Sequence, residues 1–174
     1  MRYIMLAAVA VINLILTGTV FVNLNIAGIA PDILICSMVS IALMEKNMTS
    51  AVIGGICGLM LDIMFFGVIG AYTIPLFITG AALYFASRQM RYVDNILVPF
   101  LFSMGAYFLK EMITALIVYM LGSSFSLPFM MVRYILPETL VTGVFMLLVH
   151  AIFKRIYRSP TMRPKYIDDI KKLL

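Results

Sequence analysis

Tryptophan is absent from this sequence, histidine occurs once, cysteine twice, and charged residues make up only 12% of the chain. Each scarcity removes a class. Two cysteines, Cys36 and Cys57, both inside apolar runs, give neither a disulfide framework nor a metal knuckle, and they read as small packing residues. His150 has no Cys, Asp or Glu three or four positions away, so it reads as structural rather than as a ligand, and no metal is expected. The sequence has no HExxH and no phosphate loop, and its lone histidine forms no Ser/His/Asp set, so no catalytic residue is expected and the chain reads as a non-enzyme. Too few charges are present to cover the surface of a soluble domain of 174 residues.

What is abundant is hydrocarbon. Hydrophobic residues make up 63% of the chain, and the mean hydropathy is +1.07. Six runs, at about 4–22, 29–44, 49–66, 70–87, 96–121 and 130–153, approach the roughly 20 apolar residues that cross a core of about 30 Å. The second run is short for a full span, which places Asn23-Leu24-Asn25 in the interface or asks the bilayer to thin. With so little connecting chain, backbone polar groups must be satisfied within helices. The fold class expected is an all-α integral membrane protein, one compact bundle of about six transmembrane helices over 1–153, followed by a basic tail at 154–174. The first run carries Asn13 and no clear small-x-small cleavage site, so it is read as an uncleaved helix.

Charge sets the orientation. With six spans, Arg2, Lys46, Arg88, Arg91 and the tail's Lys154, Arg155, Arg158, Arg163, Lys165, Lys171 and Lys172 share one side, and the positive-inside rule puts both termini in the cytoplasm. The net charge of +5 then reflects a tail facing anionic lipid, not a nucleic-acid surface. Within that tail, Tyr166, Ile167, Ile170, Leu173 and Leu174 fall on one helical face suited to the cytoplasmic leaflet or, as the second reading, to a cytoplasmic partner.

The remaining charges lie inside the spans, where each costs about 2.5–3.5 kcal/mol at bilayer centre. Asp32 is expected to start the second helix at the outer face, and Asp62 to lie near the outer end of the third. Lys110 and Glu111 fall near the middle of the fifth, and Arg133 and Glu138 in the outer part of the sixth. Four acids against two bases must pair, face inward or line water. These six are the candidate partner- or ligand-binding residues. Asp32 and Asp62 also invite the question of a shared-proton dyad, but their surroundings lack the polar neighbours that position one. In the third span Ala51, Gly54, Gly55 and Gly58 form a small-residue seam that leads to Asp62, whose expected partner is Arg133 or Lys110. In the sixth, Pro137 removes a backbone donor beside Glu138 and predicts a kink.

Taken in order, Pro31-Asp32 opening a short second helix, Gly54-Gly55, Gly58-Leu59-Met60-Leu61-Asp62, Gly67, Gly70 and Leu136-Pro137-Glu138 in the last span resemble the bacterial rod-shape-determining MreD family over nearly the whole chain. Lys110 and Glu111 are not part of that pattern. The resemblance implies a multi-pass inner-membrane component of the cell-elongation machinery, without cofactor, associated with MreC and through it with MreB, RodA and a class B penicillin-binding protein of lateral peptidoglycan synthesis. The family is similar in fold to the S-components of energy-coupling-factor vitamin transporters, and fold alone leaves function open. Two expectations follow. In the first, the chain is a scaffold whose glycine seams hold a partner's transmembrane helix and whose outer polar residues meet the partner's first periplasmic residues. In the second, Asp32, Asp62, Arg133 and Glu138 line an outward pocket for a small molecule, with Tyr72, Tyr107, Tyr119 and Tyr134 as walls.

Overall fold

A computed structural model of the chain describes residues 2–17, 31–66, 69–89, 97–122 and 127–157. Among these residues all regular structure is helical. Helix α1 covers Arg2–Ile15, α2 Ile33–Glu45, α3 Thr49–Leu61, α4 Thr73–Gln89, α5 Leu97–Met120 and α6 Leu136–Tyr157. Helix α3 runs on through a π-helical turn, Asp62–Phe66, and α6 is preceded by a short helix, Leu127–Met130, and a second π-helical turn, Met131–Ile135. The amphipathic tail face at 165–174 and the connections containing Gly28, Gly67 and Ser124 lie outside the described residues.

Among the described residues, two helical stretches, Leu97–Met120 and Met131–Tyr157, are long and apolar enough to cross a membrane by length and composition. Helix α2 has 13 residues, about 20 Å of rise, well short of a 30 Å core. Its place in the bundle explains how it manages. Helix α2 packs against α1, α3, α4, α5 and α6, and Leu34, Ile35, Met38, Val39, Ile41 and Leu43 are at most 2% exposed. A helix apolar on every face is the central post of a bundle. The other helices form a palisade around it and turn Val52, Ile56, Leu101, Leu116, Val144 and Leu148 outward, as a wall bathed in hydrocarbon would.

Helices α3 and α4 make the tightest contact. A Cβ on Gly58 would sit 2.7 Å from Thr73 Cα, one on Gly80 2.6 Å from Ala51 Cα, and one on Gly54 2.9 Å from the Leu76 carbonyl oxygen. The small-residue seam is therefore filled by the chain's own fourth helix, with Ser50 Oγ donating across it to the Gly80 carbonyl at 3.2 Å. Gly55 faces the Phe77 ring instead. This corrects the expectation that the seam is open to a partner's helix.

Pro137, where a kink is expected, follows directly on a change of helix type. It has no N–H to give the Arg133 carbonyl, and the helix before it widens into the π-helical turn, where Leu136 N–H donates to the Met131 carbonyl five residues back. At the opposite end of α6, Tyr157 Oη donates to Glu45 Oε1 at 2.9 Å and ties α6 to the last turn of α2. Lys46 closes α2 in the left-handed region at φ 51°, its N–H donating to the Ala42 carbonyl.

Candidate functional site

Asp32 is the residue from which the site is built. Pro31 and Asp32 precede the first turn of α2, and Asp32 Oδ1 accepts the Ile35 N–H at 3.1 Å, an N-cap that satisfies one of the free donors of the helix start. The Asp32 N–H donates to Thr142 Oγ1 on α6 at 3.1 Å. The other carboxylate oxygen meets Lys110 Nζ of α5 at 3.0 Å. Because α2 is short, this cap is not at the rim. Lys110 lies ten residues before Met120, so Asp32 is level with a point about 15 Å along α5 from its Met120 end. The expectation of Asp32 at the outer face is corrected accordingly: the capped end is sunk into the bundle, and a cation from the middle of α5 meets it there.

Lys110 is the hub. Its ammonium also contacts Glu111 Oε1 at 2.7 Å, and it stands 5.1 Å from the centre of the Tyr107 ring and 5.7 Å from that of Tyr72, inside the range of cation–π attraction. Tyr107 Oη in turn donates to Glu138 Oε2 on α6. One cation thus serves two carboxylates directly and a third through a phenol, joining α2, α5 and α6, with Tyr72 supplied from the start of α4. The side-chain exposure is graded, 8% for Lys110, 16% for Asp32 and 21% for Glu111. What reaches the surface of the cluster is carboxylate, and the ammonium is underneath.

Asp62 belongs to a different arrangement. It is fully buried, and its two oxygens accept from Gly70 N–H at 2.8 Å, Tyr72 N–H at 2.7 Å, Thr73 N–H at 3.1 Å and Thr73 Oγ1 at 2.6 Å. A carboxylate at the end of α3 therefore satisfies the free donors at the start of α4. Gly70, at φ 114°, takes a conformation that L side chains rarely adopt. The expected pairing of Asp62 with Arg133 or Lys110 is thereby corrected, because backbone N–H groups and one hydroxyl occupy the carboxylate. Asp32 and Asp62 have separate partners, which removes the geometry of a shared-proton dyad.

Arg133 is exposed on the π-helical turn, and among the described residues it makes no ion pair with Asp62, Glu111 or Glu138. Tyr119 and Tyr134 are exposed as well. The outward pocket expected from Asp32, Asp62, Arg133 and Glu138 is therefore not assembled as such; Asp32 and Glu138 join the cluster and the other two do not. A recess of about 260 Å³ does open between α4 and α5, lined by residues such as Thr79, Ala82, Ala86, Leu101, Gly105 and Leu109, none of them charged. Cys36, buried in α2, turns its thiol to the Thr142 carbonyl at 3.5 Å, and Cys57 is buried and free.

Sequence reasoning left three participants out of the cluster's wiring. Thr142 carries no charge to draw attention. Tyr107 and Tyr72 were legible only as possible walls, although Tyr107 lies three residues before Lys110 and four before Glu111, a spacing that puts all three on adjoining faces of one helix. Away from the cluster, Glu45 was hidden as well, because a carboxylate next to Lys46 at a segment end looks like a solvated interfacial pair, whereas it is 3% exposed.

Comparison with known proteins gives one positive finding. The family described as rod shape-determining protein MreD matches residues 1–159 of this chain. No curated protein and no solved structure matches it.

Proposed function

The chain belongs to the MreD family of rod shape-determining proteins, and within that role in cell shape we propose that it is a non-enzymatic, multi-pass scaffold of the inner membrane, spanning six times with both termini in the cytoplasm. Its partner in this reading is an MreC-like single-span protein, which links it to MreB, RodA and a class B penicillin-binding protein. The observation that carries the reading is the graded cluster at Lys110. Two carboxylates meet a single ammonium, a third from another helix is joined to it through the Tyr107 phenol, and the acidic groups are the more exposed. A surface of that kind suits basic or hydroxyl-bearing residues at the outer end of a partner's helix, where charge complementarity fixes register more than it adds affinity. The α3–α4 seam is already closed, so the partner's helix rests on the outward apolar faces of the bundle.

The roles divide accordingly. Asp32 and Lys110 lock α2 to α5, while Glu111 and Glu138 present the acceptors. Affinity purification from mild detergent tests the reading. Recovery of an MreC-like single-span protein with the intact chain, and its loss with Glu111→Gln/Glu138→Gln, is the expected result. Recovery of an ATPase-containing coupling module instead would replace the scaffold by an S-component. The uncharged lining of the α4–α5 recess supports the first outcome, since a vitamin site needs a few well-placed polar groups.

A further inference from the structure

Asp62 and Lys110 do not touch, yet one short turn connects them. The turn from Gly70 to Thr73 is held from three directions. Asp62 takes four hydrogen bonds from it. Gly58 packs directly beneath it, so that a Cβ there would lie 3.0 Å from the Tyr72 carbonyl oxygen and 2.7 Å from Thr73 Cα. Gly70 supplies the left-handed corner. The residue so clamped is Tyr72, and its ring stands 5.7 Å from Lys110 Nζ, with the Tyr107 ring at 5.1 Å. The ammonium that meets Asp32 and Glu111 is thus also bounded by two aromatic rings, one of which is placed by the backbone that Asp62 holds.

We propose that Asp62 is a positioning residue for the Lys110 cluster, acting through Tyr72: the 70–73 turn transmits the state of the α3–α4 junction to the charges that join α2, α5 and α6. The assignment deepens the scaffold reading and rests on it for its function, but not for its geometry. It separates two roles that a cap alone would confound. A cap that only closes α4 affects how well the protein folds. A positioning cap also changes how the ammonium sits, and its effect depends on whether Tyr72 carries an aromatic ring.

A set of single and double variants in the full chain separates these. Asp62→Asn keeps the shape of the side chain and gives up acceptor capacity, and Thr73→Val, a milder change, removes one of the four bonds and remains informative if Asp62→Asn folds poorly. Tyr72→Leu removes the ring, whereas Tyr72→Phe keeps it. Lys110→Met removes the cation. Melting midpoints in detergent are expected to be non-additive: the shift of each cap variant combined with Lys110→Met falls short of the sum by about 2–4 °C. The shortfall vanishes in a Tyr72→Leu background and persists in Tyr72→Phe. Recovery of the single-span partner per folded molecule should fall about 5-fold in Tyr72→Leu and in the cap variant, the factor that a cation–π contact commands, and by clearly less in Tyr72→Phe, which keeps the ring. Additive midpoints in both cap variants overturn the positioning role, even where Lys110→Met still loses the partner. Non-additive midpoints with partner recovery untouched by Lys110→Met leave the positioning role standing and overturn the scaffold reading instead.

Discussion

The α3–α4 junction and the α2–α5–α6 cluster both bury carboxylates in apolar surroundings, and they solve the problem in opposite ways. At the junction, Asp62 is met by backbone N–H groups and a hydroxyl from a turn only 8–11 residues further on. In the cluster, Asp32 is met by a lysine 78 residues away, which also serves Glu111. The first solution is local and uses donors that any helix start must place somewhere. The second links three separate helices through one lysine and the tyrosine beside it, and it leaves acceptor oxygens partly exposed. Local satisfaction makes a joint; shared satisfaction makes a surface with chemistry to offer.

That contrast can be broken experimentally. The largest effect is expected from Lys110→Ala, which strands two carboxylates around an empty centre and should destabilise the bundle by about 3–5 kcal/mol, the cost of removing one partner from a buried ion pair. Thermal unfolding in detergent measures it, and restoring much of the stability with Asp32→Asn/Lys110→Met would show that the loss came from the stranded charge. Next, Gly58→Val should cost about 1–3 kcal/mol by overpacking the contact with Thr73. If it unfolds the protein no more than Gly105→Val, at a position with nothing within 4 Å, the tight junction is not a stability element. A smaller loss, about 1 kcal/mol, is expected for Tyr107→Phe, which deletes one hydrogen bond to Glu138 and keeps the ring beside Lys110. The smallest is Arg133→Gln, within about 0.5 kcal/mol as for surface changes generally; a large effect there would bring Arg133 back into the cluster. Topology has its own check. Reporter fusions at Gly28, Gly67 and Ser124 are expected to report outside, and a single inside signal breaks the six-span arrangement on which the positions of both regions in the membrane depend.

Much of the architecture was legible beforehand because lipid imposes a one-dimensional constraint. Apolar runs mark helices, and the short run at 29–44 already showed that one helix was unlike the rest. The structure gives the reason: α2 does not line the wall but stands at the centre, where length matters less than having an apolar side chain in every direction. The small residues at 51, 54, 55 and 58 marked a close approach correctly in kind, but spacing could not say whether the neighbour was foreign or the next helix of the same chain. Pro137 was legible as a lost backbone donor, and a π-helical turn lies just before it.

The charged residues show where such reading stops. Composition alone established that Asp32, Asp62, Lys110, Glu111, Arg133 and Glu138 lie within apolar segments, and that four acids against two bases could not all be neutralised by simple pairing. Which acid met which base was decided by the bundle. Asp62 found its donors 8–11 residues downstream, Asp32 was carried to the level of Lys110 because its helix is short, and Arg133 was left exposed on a widened turn. The sequence by itself determined the solvent of this protein, its helices and its family, since hydropathy and small-residue spacing are properties of the chain read in order. Only the tertiary structure decided the wiring of its charges, because electrostatic and hydrogen-bond partnerships act over a few ångströms, and distances that short exist only after the helices have packed.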